Sequence, residues 1–364
     1  MRGKGFEDSI EMMWSTLRSG KPFFIAEAGV NHLGSLEIAE DLIRKAARSG
    51  ADAIKFQSYK ASSLCTRDAP RFWDWDGEID KGGSQFDSYS ILDSFGEKEH
   101  VELKRMCDEN NIEFMSTPFD NHAVDYLNRV GIRAYKVASC DITNHPLLKH
   151  IGSKRKIVML STGASTLDEI KSAISVLESS GTDRIVIMHC NLKYPTEKDE
   201  INLKMIESLK VFFGEKYAYG LSDHTTQIET PSFSVMLGAN IVEKHYTIDK
   251  TLGKSADHWF SVDPAQVKQI TKMMSLAYSM VGNIESKQCT PGEQRARSFA
   301  RRSIVSSRKI SSGEKITTKD VAFKRPGTGI SPSRLQSFLG RKVTKDVDED
   351  HIFCEDDFER IEHG

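Results

Sequence analysis

The stretch Phe23-Phe24-Ile25-Ala26-Glu27-Ala28-Gly29-Val30-Asn31-His32 decides the fold, because a short apolar run gives way abruptly to a carboxylate, an amide and an imidazole. The succession recurs down the chain. Apolar runs at 23–26, 53–56, 113–115, 134–138, 157–160, 185–188, 218–221 and 241–243 have the length of buried strands, and polar breaks separate them from segments of helical period. The segments 36–49, 98–109, 166–180, 203–213 and Pro264–Val281 place apolar residues at i, i+3 and i+4. Asp263 before Pro264 offers a capping carboxylate followed by a first-turn proline. Eight such units predict an α/β chain closed as a (β/α)8 TIM barrel. The competing open doubly wound sheet lacks its GxGxxG turn after the first strand.

The barrel pattern spans 1–282 and stops near Gly282; 283–302 is polar and charge-rich, the composition of a linker. From Ser303 to Gly364 shorter apolar patches alternate with turns such as Ser312-Gly313 and Pro326-Gly327, predicting a small β-rich module. Such a module is marginal alone and is expected to lean on the barrel or on another subunit. The loop 60–94 is long for a barrel, and its Phe72, Trp73, Trp75 and Phe86 either cover a substrate or cap the rim.

The 364 residues carry 50 basic and 52 acidic side chains, a balance with no global pull toward nucleic acid or an anionic membrane. Residues 1–20 contain no apolar run of signal-peptide length, and no membrane-spanning run follows, so a soluble cytoplasmic protein is expected. Six scattered cysteines without CxxC spacing read as reduced, mostly buried thiols.

A barrel carries its site where the strands end. Here the ends are Glu27 with Asn31 and His32, Lys55 with Gln57, Ser116-Thr117, Lys136 with Ser139 and Asp141, Ser161-Thr162-Gly163, His189-Cys190-Asn191, Ser222-Asp223-His224 and Glu243-Lys244-His245. Lys55 and Lys136 with the hydroxyls of Thr117, Ser139, Ser161 and Ser222 suit a small phosphorylated acid, since ammonium groups neutralise it while hydroxyls donate to its oxygens. The lysines could instead be ion-pair partners of Glu27 or Asp141, or one of them a Schiff-base amine. His224 and His245 end neighbouring strands and together could bind one divalent ion, leaving positions open for water and a carbonyl. His32, His189 and His258, taken singly, read as hydrogen-bonded core histidines.

These strand ends resemble the sialic acid synthase family. The resemblance runs through Ile25-Ala-Glu27-Ala-Gly-Val-Asn31-His32-Leu-Gly34, Lys55-Phe-Gln57, Ser116-Thr117-Pro118-Phe119, Tyr135-Lys136-Val-Ala-Ser139, Leu160-Ser161-Thr162-Gly163, Tyr194-Pro195-Thr196, Gly220-Leu-Ser222-Asp223-His224-Thr225 and Glu243-Lys-His245. It ends in Lys324-Arg325-Pro326-Gly327-Thr328-Gly329, similar to a motif of the antifreeze-like (SAF, β-clip) domain. It implies a transferase that condenses phosphoenolpyruvate with N-acetylmannosamine or a related N-acylated amino sugar, giving a nonulosonic acid and phosphate. Lys55, Thr117, Lys136, Ser139, Ser161 and Ser222 would hold phosphoenolpyruvate, and Asn191 would add a polar contact where Leu192 departs from the family. His224 and His245 would bind Mn2+, or Mg2+ or Co2+. Glu27, Gln57, Tyr194 and Asp257 would face the sugar, and Glu27 or Asp141 would handle protons. Asp141 is itself a departure, since Cys140-Asp141 stands where relatives carry Gly-Glu. The family further implies a domain-swapped homodimer that sends Arg325 into the partner's site. Two rivals stand beside this reading: a keto-acid synthase acting on a sugar phosphate, with Arg67 and Arg71 as a phosphate pocket, and a noncatalytic carbohydrate-binding protein.

Overall fold

The computed structural model describes residues 2–73, 83–252, 257–283 and 286–360, so Trp75 lies outside the described residues. Strands β1 (Phe23–Gly29), β2 (Ala53–Ser58), β3 (Glu113–Pro118), β4 (Ala134–Val137), β5 (Ile157–Ser161), β6 (Ile185–Cys190), β7 (Ala218–Asp223) and β8 (Ile241–His245) pair in parallel in chain order. Glu27 of β1 stands opposite Lys55 of β2 on one side and His245 of β8 on the other, which closes the barrel. The eight apolar runs are these eight strands.

Side chains alternate along a strand, and the alternation sorts this chain into layers. Phe24, Ala26, Ile54 and Phe56 join the core shared with the surrounding helices. Phe23, Ile25, Ala53, Met115, Ala134, Ile157, Met159, Val186, Met188, Ala218 and Ile241 form a separate buried cluster inside the barrel. Gly220 belongs to this interior row because a Cβ there would lie 2.5 Å from the Ile241 carbonyl oxygen and 3.2 Å from the Met188 side chain.

Helix Arg2–Arg18 was not expected from the sequence. Its Ile10, Met13 and Leu17 recur at i, i+3 and i+7 and enter the interior cluster, closing the N-terminal end of the barrel. Glu11 pairs with Arg184, just before β6, and Arg18 Nη2 donates to the Glu215 carbonyl at 2.8 Å. The helix Pro264–Val281 starts as its sequence implies, with Asp263 accepting from the Gln266 amide at 2.9 Å and Gln266 returning a bond to the Asp263 amide.

Met1–Gly282 and Asn283–Gly364 are two compact units. In the second, β9 (Ser303–Ser306) and β10 (Val321–Lys324) pair antiparallel over a core of Ile304, Ile310, Ile316, Phe338, Val343, Phe353 and Phe358. The stretch expected as a linker holds a turn at Pro291–Glu293 and a helix at Gln294–Ala300. Elsewhere in the second unit Asp357 is fully buried, accepting from the Cys354 amide at 2.8 Å and from His351 Nε2 at 2.9 Å while pairing with Lys345 at 2.7 Å. The cysteines are free, but only Cys107 and Cys190 are buried, fewer than the composition suggested. Among the described residues no helix is long and apolar enough to cross a membrane.

Candidate active site

Towards the C-terminal ends of the strands the inward row turns polar. Two residues beyond the apolar layer stand Glu27, Lys55, Thr117, Lys136, Ser161, Cys190, Ser222 and Glu243, and two further on stand Gln57 and His245. All of them line a cavity of about 480 Å³, joined by Ser139, Tyr194, His224 and Asp257. Strand alternation thus delivers most of the predicted residues to one place.

The floor is a compact charge network. Lys55 Nζ lies 2.7 Å from Glu27 Oε2 and 3.7 Å from Glu243 Oε1, and donates to Thr117 Oγ1 at 2.8 Å. Lys136 Nζ reaches the same Glu243 oxygen at 3.2 Å, as does Ser222 Oγ at 3.3 Å. The four charged side chains are at most 6% exposed, so each is stabilised by its neighbours rather than by water. Burial works against the charge on Glu243, but Lys136 and Lys55 outweigh it and hold its carboxyl below the usual range. Burial dominates at Glu27, raising its carboxyl against the pull of Lys55. Burial likewise opposes the Lys55 ammonium, yet Glu243 and Glu27 together raise it. Ser161 Oγ is buried without a hydrogen-bond partner, an unused donor among the hydroxyls.

Beside this floor the His224 and His245 rings lie 5.5 Å apart. His224 Nδ1 donates to the Asn191 carbonyl at 2.6 Å, which leaves Nε2 to act as a ligand. His245 Nδ1 is buried without a hydrogen-bond partner, 3.5 Å from Asp257 Oδ2. Burial, then the charge of His224, keeps the His245 imidazole neutral. Burial also raises Asp257 to about 7. The two imidazoles by themselves suit a divalent ion whose remaining positions would go to water or substrate oxygen. No convergent group of three or more ligating side chains is present among the described residues.

Lys244 plays a different part. It faces away from the cavity, and its Nζ pairs with Asp223 at 2.6 Å and donates to the Thr225 carbonyl at 2.5 Å, tying together the strands that carry the two histidines. His32 stacks on Phe95 at 4.0 Å, His189 bonds the Ile201 carbonyl and His258 bonds Thr247, as core histidines do.

Some predicted residues fall elsewhere. Asp141 ends the turn Ser139–Asp141, accepts from Asn144 Nδ2 at 3.0 Å and does not line the cavity. Asn191 contributes its carbonyl to His224, while its side chain donates to the Glu200 carbonyl; Leu192 lines the cavity instead. Arg67 lies over the Phe86 ring, and neither it nor Arg71 lines the cavity. Arg325 belongs to the second unit, whereas every lining residue belongs to the first.

Glu243 and Cys190 were named at the strand ends but given no role, and Trp259 and Phe260 were not singled out at all. The first two were open to the same alternation that selects Lys55 and Ser222. Trp259 and Phe260 follow the last strand in irregular chain and carry no periodic signal. The loop 60–94 supplies Leu64, Phe72, Trp73, Tyr89 and Leu92, so it does border the cavity.

Comparison with known proteins agrees with this geometry. The NeuB family profile matches residues 42–286, and the SAF domain profile matches residues 301–359. An N,N'-diacetyllegionaminic acid synthase of Campylobacter jejuni is 39% identical over 338 residues, covering 92% of this chain and 99% of that protein. Another from Legionella pneumophila is 35% identical, covering 89% and 91%. The crystal structure of an N-acetylneuraminic acid (sialic acid) synthetase from Leptospira borgpetersenii matches with a TM-score of 0.67 at 33% identity, over 76% of this chain and 90% of that one.

Proposed function

Because this chain belongs to the NeuB family, we propose that it condenses phosphoenolpyruvate with an open-chain N-acylated amino sugar and water, giving a nonulosonic acid and inorganic phosphate. The observation that carries the reading is the floor of the cavity, where two buried lysines share one Glu243 oxygen within a ring of hydroxyls. Carbon 3 of phosphoenolpyruvate forms the new bond to the sugar aldehyde, water adds at carbon 2, and phosphate leaves from that carbon. Lys55 and Lys136 offset the phosphate and carboxylate charge, and Thr117, Ser139, Ser161 and Ser222 donate to the oxygens. Glu243 holds both ammonium groups in place before substrate arrives. Glu27 retains a proton more readily than an exposed carboxyl, which suits it to protonate the developing alkoxide. Tyr194, packed 4.1 Å from the His224 ring, keeps that side of the cavity dry. His224 and His245 would hold a divalent ion, Mn2+ foremost, with Mg2+ and Co2+ as alternatives. When bound it polarises the aldehyde oxygen.

The same reading places a homodimer in the cytoplasm, with Arg325 entering the partner's cavity. Phe233, Met236, Leu276 and Met280, exposed on the helices Thr230–Met236 and Pro264–Val281, would suit a subunit contact.

Phosphate release from phosphoenolpyruvate, Mn2+ and a panel of N-acylated hexosamines tests the activity. No release with any acceptor from folded, metal-replete protein would overturn it. His245→Ala should abolish both Mn2+ binding in calorimetry and turnover.

A further inference from the structure

Behind the floor of the cavity the barrel carries a polar cluster that the proposed chemistry leaves unused. Ser58 and Ser116 point outward from β2 and β3, opposite in phase to Lys55 and Thr117, into the layer that Phe56, Phe95, Leu103 and Phe114 fill against the helix Glu97–Glu109. His100 of that helix meets them there, and all three side chains are at most 1% exposed. None of them lines the cavity. The hydrogen bonds run in one direction. The Gly96 carbonyl can only accept, so His100 Nδ1 donates to it at 2.7 Å. Burial pushes the imidazole below its usual value and keeps it neutral, so its Nε2 accepts from Ser58 Oγ at 2.8 Å. Ser58 Oγ in turn accepts from Ser116 Oγ at 2.6 Å, and Ser116 also reaches the Phe56 carbonyl at 3.1 Å.

This chain of bonds sits where β3 is least held by its other neighbour. Among the described residues β3 registers with β4 at Ser116 opposite Tyr135, whereas it pairs with β2 from Glu113 opposite Ala53 to Pro118 opposite Ser58. Thr117, next to Ser116, therefore takes its position from β2, and its hydroxyl accepts from Lys55 Nζ at 2.8 Å. A polar cluster inside an apolar layer costs desolvation, and once fully bonded it imposes a geometry that apolar packing leaves looser. Taking the synthase reading as its basis, we propose that His100, Ser58 and Ser116 are positioning residues that lock β3 to β2 and so hold Lys55 and Thr117 at the spacing phosphoenolpyruvate requires. They act through Lys55 and Thr117 and touch neither substrate.

The test measures kcat, the KM for phosphoenolpyruvate and the KM for the N-acylated hexosamine that the parent turns over, by phosphate release with Mn2+. His100→Leu removes the acceptor that orders Ser58, while the Gly96 carbonyl keeps its bond from the backbone amide of residue 100 at 3.1 Å. His100→Gln retains a terminal amide oxygen for Ser58. His100→Leu and Ser116→Ala should each raise the KM for phosphoenolpyruvate about tenfold, the worth of one loosened hydrogen bond to a charged group. Both kcat and the acceptor KM should stay within about twofold of the parent, because the lost contacts are made equally in ground and transition states. His100→Gln should restore most of the lost affinity. Ser116→Ala only removes atoms, so it decides the matter if the His100 variants do not fold. A merely structural role predicts instead that kcat and both KM values worsen together and that Gln is no better than Leu. That pattern, or a KM for phosphoenolpyruvate unmoved by Ser116→Ala, would overturn the positioning role and leave the synthase reading standing. Absence of turnover by the parent with any acceptor would remove both.

Discussion

Replacing Lys244 by Met should destabilise the barrel far more than an ordinary surface change, although Lys244 lies outside the catalytic cavity. Its side chain is 1% exposed and that of Asp223 is 0% exposed, with 2.6 Å between the charges. After the replacement Asp223 keeps one strong partner, the Thr225 amide at 2.8 Å, and loses its counter-charge. Removing one member of a buried pair costs about 3–5 kcal/mol, because the survivor stays desolvated. That equals a shift of about a hundred- to several-thousand-fold in the unfolding equilibrium, a large share of a typical stability of about 5–15 kcal/mol. The four tryptophans all lie in the first unit, so tryptophan fluorescence during urea unfolding reports the barrel alone. Asp223→Asn combined with Lys244→Met should recover at least half of the loss, since the amide oxygen can still accept from Thr225 and no charge is stranded. A single variant within about 0.5 kcal/mol of the parent, the scatter of neutral surface changes, would refute the reasoning. So would a double variant no better than the single.

Gly220→Ala should lower barrel stability by about 3 kcal/mol or more, because its Cβ meets a backbone carbonyl that cannot rotate away; the same urea titration reads it. Glu27→Gln should reduce kcat by about 10²- to 10⁴-fold with little change in the KM for phosphoenolpyruvate. It should also remove the alkaline fall in kcat/KM that deprotonation of a raised carboxyl produces. In the second unit burial opposes the Asp357 carboxylate, but the Cys354 amide, Lys345 and His351 outweigh it and hold the carboxyl well below the usual range. The folded form therefore binds this proton less readily than the unfolded chain. Its stabilisation is complete above the unfolded value of about 3.9 and is lost as pH falls through the folded value. Hydrogen-exchange protection of Ser303–Ser306 should fall between pH 5 and pH 3 in the parent, whereas Asp357→Asn should start lower and change less.

The barrel was legible because its strands are short and buried on both faces, so each apolar run stands out between polar breaks. The site was legible where a strand carries its residue inward, as with Lys55, Ser161 and His245. Legibility ended where the chain leaves the strand. The turn at Ser139–Asp141 rotates Asp141 toward Asn144, and position alone does not encode that rotation. Asn191 was found as a residue but misread as a side chain, since its carbonyl is the part that meets His224. The first helix was passed over because its apolar positions are sparse among polar neighbours, although Ile10, Met13 and Leu17 carry a helical stripe.

That first helix has a consequence for traffic. With its three apolar side chains stoppering the lower mouth and packed rows above them, the barrel is closed below, and its cavity lies toward the other end. Under the proposed reaction both substrates would enter from that upper end. Phosphoenolpyruvate, seated on Lys55 and Lys136, would then have to load before the sugar, and phosphate would leave after the larger product. Queueing of this kind is set by plumbing rather than by affinity, and product-inhibition patterns would read it directly.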